Sequence, residues 1–159
     1  MAKRFYSGKT YSHATGHSCA FRQWRADSHC NLIHGYALQF EFTFGGAELD
    51  ERNWIVDFGG LKPLKTWLAE MFDHTYLVAE DDPEMDTFVD LAKKDLVDLR
   101  IVKATGCERF AEMAFDKADE IVKDISNGRC WVQSATVREH AHNSATCELA
   151  DTQKIRFSE

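Results

Sequence analysis

The chain has 159 residues, 44% of them hydrophobic and 28% charged, which is typical of one globular domain over residues 1–159 with a substantial core. Its net charge of −7 argues against a nucleic-acid partner, and no apolar run reaches the roughly 18 residues of a membrane span. The first residues lack an apolar signal segment, and the five cysteines are odd in number and irregularly spaced, so we expect reduced thiols and a cytoplasmic protein.

Two different patterns occupy the first third of the chain. Aromatic residues of one parity within residues 3–13 predict a first strand that ends near His13. Residues 14–32 show no clean period, so we expect a long loop, which in a compact domain is often functional. Residues 33–44 alternate between large apolar and small or polar side chains, which predicts one strand with a buried face, broken by the two glycines that follow.

Helical spacing dominates the middle of the chain. Asp57 is a candidate N-cap for a helix that begins around residue 59 and stops near the Asp73-His74 pair. Residues 80–99 are acidic and are expected to hold a short second helical segment, and residues 100–103 a short strand.

A further helix and two strands are expected in the last third of the chain. Thr105 and Glu108 have the spacing of a capping box, which predicts the start of a helix that runs to about Ile125. A strand over residues 131–139, a turn at 143–144 and a last strand over 146–157 follow.

Apart from the short segments expected over residues 80–103, the resulting order is two strands, two helices and two strands. Runs of strands and runs of helices predict an α+β fold, in which a four-stranded antiparallel sheet carries two helices on one face. The open edges of such a sheet need to be covered, so we expect a homo-oligomer rather than a monomer.

Cys30 is the first candidate for chemistry. A lone cysteine is most often a small buried hydrophobe. Cys30, however, lies in a polar stretch and has His29 and His34 on either side. A nearby imidazolium or metal ion would lower the pKa of the thiol and make it a nucleophile or a proton-transfer group.

Four histidines that lie close together in the sequence are candidate zinc ligands. His13 and His34 stand at the ends of expected strands, with His17 and His29 between them. A single histidine at such a place is usually only hydrogen-bonded, and no spacing here is diagnostic by itself. Three imidazole ligands and one open position are nevertheless the pattern of a catalytic zinc ion.

Three acidic residues are further candidates. Asp73 could orient and polarise His74, which would make a general base near neutral pH, although a histidine at a helix end also complements the helix dipole. Glu139 ends a strand and could accept paired N–H donors from a guanidine-like ring edge. Glu108 is interpreted chiefly as the capping partner, and we also count it as a candidate substrate-binding residue.

The ordered set of these motifs resembles one family. Cys-x-x-x-His-Gly and an alternating strand are followed by Val-Asp-Phe-x-x-Leu-Lys, then by Asp-His, then by a strand-end Glu. Over nearly the whole chain, from Tyr11 to about Cys147, this is similar to the 6-pyruvoyltetrahydropterin synthase and 6-carboxytetrahydropterin synthase family. The resemblance implies a T-fold, which assembles into trimers stacked as hexamers, with active sites at subunit interfaces.

The resemblance also implies a chemistry. A Zn²⁺ ion held by three histidines would bind the side-chain hydroxyls of 7,8-dihydroneopterin triphosphate. Cys30 and the Asp73-His74 pair would move protons on this substrate, and Glu139 would hold the pterin ring. Triphosphate would be eliminated, with acetaldehyde also lost in the carboxy branch.

One departure from the family concerns the metal. The family usually has His-Gly-His where this chain has His34-Gly35-Tyr36, and a protonated phenol is a poor zinc ligand. We therefore expect His13, His34 and His29 as ligands, with His17 as the alternative to either His13 or His29.

The loop before Cys30 is also unlike the family. Its Arg22, Trp24 and Arg25 could supply positive charge to the triphosphate or reshape the pocket.

Three functions follow from the resemblance. The first is a zinc-dependent lyase of the 6-carboxytetrahydropterin synthase type, which would feed 7-deazaguanine (queuosine-type) synthesis. The second is the pyruvoyl activity, which shares nearly all of the machinery. The third is a protein that binds a pterin or purine without turnover.

Overall fold

The computed structural model describes residues 3–150, and eight strands and three α-helices follow one another in this part of the chain. The strands are β1 (Phe5–Tyr11), β2 (Ser18–Phe21), β3 (His34–Ala37), β4 (Gln39–Gly46), β5 (Thr75–Ala79), β6 (Leu99–Val102), β7 (Cys130–His140) and β8 (Asn143–Glu148). The helices are α1 (Lys62–Phe72), α2 (Met85–Lys93) and α3 (Cys107–Ile125). No helix within these residues is long and apolar enough to cross a membrane.

The main sheet is antiparallel, with the strand order β1-β4-β7-β8. The strict alternation of β4 buries one face of that strand against α1 and α3, because both helices turn an apolar stripe to the same core. The largest buried side chains of this core are Phe40, Phe42 and Phe44 from β4, Leu64, Leu68 and Phe72 from α1, and Phe110 from α3. The predicted α+β fold with a four-stranded antiparallel sheet is therefore confirmed.

A second, four-stranded sheet was not predicted. Its order is β3-β2-β5-β6, with β2 and β3 antiparallel and β2, β5 and β6 parallel to one another. The expectation of an unbroken loop over residues 14–32 is wrong, because β2 lies within it. Strand β2 has only four residues and is stabilised by pairing with β5, which is distant in sequence. No alternation of apolar and polar residues within residues 14–32 therefore predicts it.

The alternating segment 33–44 is also divided between the two sheets. Strand β3 belongs to the second sheet and β4 to the main sheet, and Leu38 lies between them with its N–H donating to the His17 carbonyl oxygen (3.1 Å). Gly45 and Gly46 continue β4 instead of ending it. A side chain at position 45 would collide with the Trp131 indole, so glycine here serves packing rather than a turn.

The expected helix starts have different outcomes. Asp57 accepts a hydrogen bond from Gly59 N (2.8 Å), as predicted, and caps a short 3-10 turn that leads into α1. The capping box at Thr105 is wrong. Gly106, with a φ of 114°, precedes α3, and the Thr105 hydroxyl instead donates to the Arg22 carbonyl oxygen (2.6 Å).

The last two strands form a hairpin. The turn falls at residues 141–142 rather than at 143–144, because the chain is already paired again from Asn143 onwards. Strand β8 ends at Glu148, and the rest of the expected strand over 146–157 lies largely outside the described residues.

Candidate functional site

Cys30 lies in a 3-10 turn (His29–Asn31) just beyond the C-terminal end of β2. Its carbonyl oxygen accepts a hydrogen bond from Gln23 N (2.9 Å), and its own N–H donates to the Ser28 hydroxyl (3.3 Å). The half-buried side chain faces a pocket of about 590 Å³ that also has Lys103 and Arg109 in its wall. The turn thus presents a thiol to an open, partly basic cavity.

Two arginines of the preceding loop have carboxylate partners. Arg22 is paired with the buried Asp82 (2.7 Å), whereas the exposed Arg25 contacts Asp81 and stacks over Trp24, 4.2 Å from the ring centroid. Arg25, Trp24 and Asp81 line the same pocket as Cys30. The expected positive charge is therefore present at this pocket, but it is partly neutralised.

Cys30, Tyr36, Cys107 and Glu139 form a group that we call the Glu139 cluster. The pKa of the Tyr36 phenol is raised, first by burial and then by the charges of Glu139, Cys30 and Cys107. The cluster draws on the Cys30 turn, the β3 strand, the start of α3 and the end of β7. Tyr36 is thus the member that lies near both the strand-end carboxylate and the thiol of the turn. That Cys30 and Glu139 act in a single site stays a prediction.

Cys107 is a member of this cluster that the sequence reasoning missed. Burial, together with the carboxylates of Glu139 and Glu108, raises the pKa of its thiol to about 12. The thiol donates to the Val137 carbonyl oxygen (3.6 Å) and stays protonated at neutral pH. The sequence offered one signal for this, since residue 107 lies between the two members of the expected capping box, at a predicted helix start. A buried cysteine in the first turn of a helix lies against the adjacent sheet.

Glu108 is exposed in the first turn of α3 and does not act as a cap. The Glu108 carboxylate is close enough to Cys107 to raise the pKa of its thiol, so it lies at the rim of the Glu139 cluster. Glu108 and Glu139, the two predicted substrate-binding carboxylates, therefore both lie near the Cys107 thiol.

Asp73 and His74 form a second group. The His74 Nδ1 and an Asp73 carboxylate oxygen are 2.9 Å apart, and the imidazole is 87% exposed. His74 has a left-handed backbone (φ 57°), and its N–H donates to the Ser18 carbonyl oxygen at the start of β2 (2.7 Å). A carboxylate-oriented imidazole that is open to solvent can accept and return a proton.

Strand β2 separates the two groups. The Cys30 carbonyl oxygen accepts a hydrogen bond from Gln23 N, just beyond the C-terminal end of β2. The His74 N–H donates to the carbonyl oxygen of Ser18, the first residue of β2. A strand of this length spans about 10 Å between its first and last Cα atoms. The thiol and the imidazole of one chain are therefore not direct neighbours.

The three expected zinc ligands are also apart. The His13 ring contacts the Ala37 carbonyl oxygen at one end of β3, and the His34 Nδ1 donates to the Leu32 carbonyl oxygen (2.7 Å) at the other end. His29 is exposed in the Cys30 turn. Among residues 3–150, no three His, Cys, Asp or Glu side chains converge on one point in the way that a metal ion requires.

His17, the alternative ligand, lies on the Asp73 side. Its side chain is buried with its ring edge-on to Phe40 (5.4 Å), and its Nδ1 has no hydrogen-bond partner among the described residues. Burial lowers the pKa of His17, against the opposing charge of Asp73. Its imidazole is therefore neutral at physiological pH.

The fold and these two groups define a class of protein. The main sheet with its two helices, the thiol in the turn before β3, the Asp-His pair and the strand-end glutamate are together the features expected of a T-fold pterin synthase. The family model described as 6-pyruvoyl tetrahydropterin synthase matches residues 10–150. The chain therefore belongs to this family.

Solved structures support the same fold. An uncharacterized protein from Wolinella succinogenes superposes with a TM-score of 0.75 at 16% identity, over 93% of this chain and 98% of that chain. The 6-pyruvoyl tetrahydropterin synthase from Plasmodium vivax superposes with a TM-score of 0.63 at 14% identity, over 92% and 99%. The predicted T-fold is thereby confirmed.

Curated relatives match over shorter segments. The 6-carboxy-5,6,7,8-tetrahydropterin synthase of Rickettsia conorii is 35% identical over 57 residues, which cover 35% of this chain and 41% of the relative. The protein of the same name from Aquifex aeolicus is 28% identical over 79 residues, which cover 50% and 49%. The matched part of this chain thus spans less than half the length of these relatives.

Proposed function

We propose that this protein is a 6-carboxy-5,6,7,8-tetrahydropterin synthase, a lyase that acts on 7,8-dihydroneopterin triphosphate with loss of triphosphate and acetaldehyde. The observation that carries the proposal is the Glu139 cluster, which joins a carboxylate suited to a pterin ring to the thiol of Cys30. The names of the curated relatives support the carboxy branch. The product would enter 7-deazaguanine (queuosine-type) synthesis in the cytoplasm.

Glu139 is proposed to orient the substrate. A pterin ring presents adjacent N–H donors in one plane, and a carboxylate accepts such donors in pairs. The Glu139 side chain is half-buried, so the paired hydrogen bonds would form in partial shelter from water. Glu108, at the rim of the same cluster, is proposed as a second contact to the substrate.

Cys30 and the Asp73-His74 pair are proposed to move protons between substrate carbon and oxygen atoms. The Cys30 side chain is half-buried beside an open pocket and the His74 imidazole is exposed, so a bound substrate can reach both groups. Because β2 separates them within one chain, we propose that a second copy of the chain completes the site. The active form would then be a homo-oligomer, a trimer or a hexamer.

The zinc ion implied by the family does not enter these steps. The proposed ligands His13, His34 and His29 do not converge in the described part of the chain, and Tyr36 stands where the family has a second histidine. Zinc dependence stays a prediction, to be tested by elemental analysis of the purified protein.

Product analysis tests the proposed function. The purified protein, with and without added Zn²⁺, is incubated with 7,8-dihydroneopterin triphosphate, and the products are identified by mass. Formation of a 6-carboxypterin together with acetaldehyde supports the proposal, whereas a 6-pyruvoyl product would assign the pyruvoyl activity. Cys30→Ala is expected to abolish turnover while pterin still binds, and near-normal turnover in this variant would remove Cys30 from the mechanism.

A protein that binds a pterin without turnover is the second candidate. The observation that favours it is Tyr36, with its raised pKa, in the place of a metal-binding histidine. Tight pterin binding without any product, at every Zn²⁺ concentration tested, would select this function over the lyase.

A further inference from the structure

Arg22 is the most extensively bonded side chain near Cys30, and the proposed chemistry does not use it. The guanidinium donates two hydrogen bonds to the Asp82 carboxylate, from Nε (2.9 Å) and from Nη2 (2.7 Å). Its remaining nitrogen, Nη1, donates to the Asn31 side-chain oxygen (3.0 Å) and lies 3.4 Å from the Asn31 carbonyl oxygen. One planar group therefore holds two segments that are far apart in sequence.

The Asp82 end of this arrangement is fixed. The Asp82 side chain is 1% exposed and that of Arg22 15%, and the carboxylate also accepts a hydrogen bond from Glu84 N (2.9 Å). A bidentate, buried guanidinium–carboxylate pair has little freedom to rotate. Arg22 is thus anchored to the loop that follows β5.

The Asn31 end is the Cys30 turn itself. Asn31 directly follows Cys30, and the Cys30 carbonyl oxygen is held by Gln23 N, the residue after Arg22 (2.9 Å). The Arg22 carbonyl oxygen in turn accepts from Thr105, just before α3 (2.6 Å). The side chain and backbone of residues 22–23 therefore connect the thiol-bearing turn to the segment that leads into Cys107.

We propose that Arg22 is a positioning residue: by bonding Asp82 and Asn31 at once, it fixes the Cys30 turn against the start of α3 and so sets the place of the thiol in the Glu139 cluster. The inference rests on the proposed function for its effect on turnover. Its effect on the thiol itself does not depend on any substrate.

Lysine cannot reproduce this arrangement. A guanidinium offers several N–H donors in a fixed planar arrangement, whereas an ammonium group is a single compact donor. A lysine at this position would pair with Asp82 but would lose the hydrogen bond to the Asn31 side chain. Arg22→Lys therefore keeps the buried charge pair but loosens the turn. Asn31→Ala removes the side-chain contact from the other side, and because Asn31 is exposed, this variant avoids an unpaired buried charge.

The test measures alkylation of Cys30 by iodoacetamide in the full chain, with peptide mass spectrometry to count each cysteine separately. Cys147 is also partly exposed but lies on β8 of the main sheet, so it serves as an internal reference. We expect the ratio of the Cys30 rate to the Cys147 rate to rise about threefold or more in Arg22→Lys and in Asn31→Ala, because the turn opens more often. Arg52→Met, which disturbs an arginine outside the pocket, should leave the ratio unchanged.

Kinetics and stability complete the test. If the enzyme is active, both variants should lose about tenfold in kcat with KM within about twofold, as expected for a misplaced group rather than a lost contact. The urea midpoint of Asn31→Ala should match that of the original chain. An unchanged alkylation ratio in both variants would overturn the proposal, whether or not the original chain turns over a pterin. A changed ratio in an inactive protein would instead reject only the proposed reaction.

Discussion

Tyr36 differs most from what the family leads one to expect. Its ring lies between the imidazoles of His34 (5.6 Å) and His140 (6.0 Å), and burial together with the Glu139 charge raises the pKa of its phenol. A phenol that stays protonated can donate a hydrogen bond but is a weak metal ligand. Tyr36 thus places a protonated phenol where the family has a second histidine, and this phenol is a poor replacement for a zinc ligand.

Glu139 can be tested without turnover. Glu139→Gln keeps the size of the side chain but replaces one acceptor oxygen by a donor, so the paired contact to a pterin N–H edge is lost. We expect pterin affinity to fall by about 2 kcal/mol, measured by calorimetric titration with a pterin ligand. Zinc content should not change. Equal affinity in the variant and the original chain would make Glu139 an ordinary solvated strand end.

Asp82 is predicted to make stability depend on pH in the acid range. Burial raises the pKa of its carboxyl, but hydrogen bonds from Arg22 and Glu84 N and the Arg22 charge outweigh burial and hold the pKa below its usual range. The folded chain thus holds this proton less tightly than the unfolded chain. The stabilisation is fully present above the unfolded pKa and is lost as pH falls through the folded pKa.

The prediction compares Asp82→Asn with the original chain. At pH 6 the variant should be less stable by about 3 kcal/mol, because the Arg22 charge loses its buried partner. This difference should shrink as the pH falls below about 4, where the Asp82 carboxyl takes up a proton in the unfolded chain before it does so in the folded chain. Urea unfolding curves at several pH values measure it, and Asp27→Asn in the exposed loop serves as the control. A difference that stays constant down to about pH 3 would contradict the assigned pair.

At the scale of elements, what could be predicted depends on how local the signal is. The alternation of β4 and the apolar stripe of α3 are patterns of residues that are close together in sequence, so both elements were predicted. The Asp57 cap was predicted for the same reason. Strands β2 and β5 were missed because each is short and is stabilised by the other across the sheet rather than by its own pattern. Leu38 was placed in a continuous strand because alternation persists through the point where the chain changes sheets.

The same distinction applies to the candidate site. Cys30 and Glu139 were chosen as candidates from residue type and position, and in the structure each lies near Tyr36. The convergence of histidines is a property of tertiary geometry, which spacing along the chain does not determine. Cys107 joins the cluster through the packing of α3 against β7, and its place at a predicted helix start was the only hint of this in the sequence.

Gly35 is predicted to be essential for the pairing of β2 with β3. A Cβ atom at this position would meet the Cys19 carbonyl oxygen, a backbone atom that cannot move without breaking the strand pair. Gly35→Ala should therefore cost about 2 kcal/mol or more in urea unfolding and should raise the alkylation rate of Cys30. Gly8→Ala on β1 is the matched control, since its Cβ would lie 3.7 Å from the Phe42 carbonyl oxygen in ordinary contact. Equal stability of the two variants would rule out the close approach.

At the scale of the whole molecule, the two groups that we propose to move protons are at opposite ends of β2. The Glu139 cluster surrounds the end that leads to the Cys30 turn, and Asp73-His74 follow α1 at the other end. The main sheet also leaves β1 and β8 as its edge strands. These edges are open to pairing with a second copy of the chain, which is the kind of assembly that the proposed shared site requires.

Complementation between two inactive variants distinguishes a shared site from a site within one chain. Cys30→Ala and His74→Ala should each abolish turnover when expressed alone. If each site takes Cys30 from one chain and His74 from another, co-expressed chains that mix at random should regain about a quarter of the original activity, because a quarter of the interfaces combine two intact residues. If both residues act within one chain, no mixed oligomer contains an intact site and activity stays at the level of the single variants. Differently tagged chains, purified through both tags, exclude unmixed oligomers, and in a trimer this selection raises the expected activity from about a quarter to about a third.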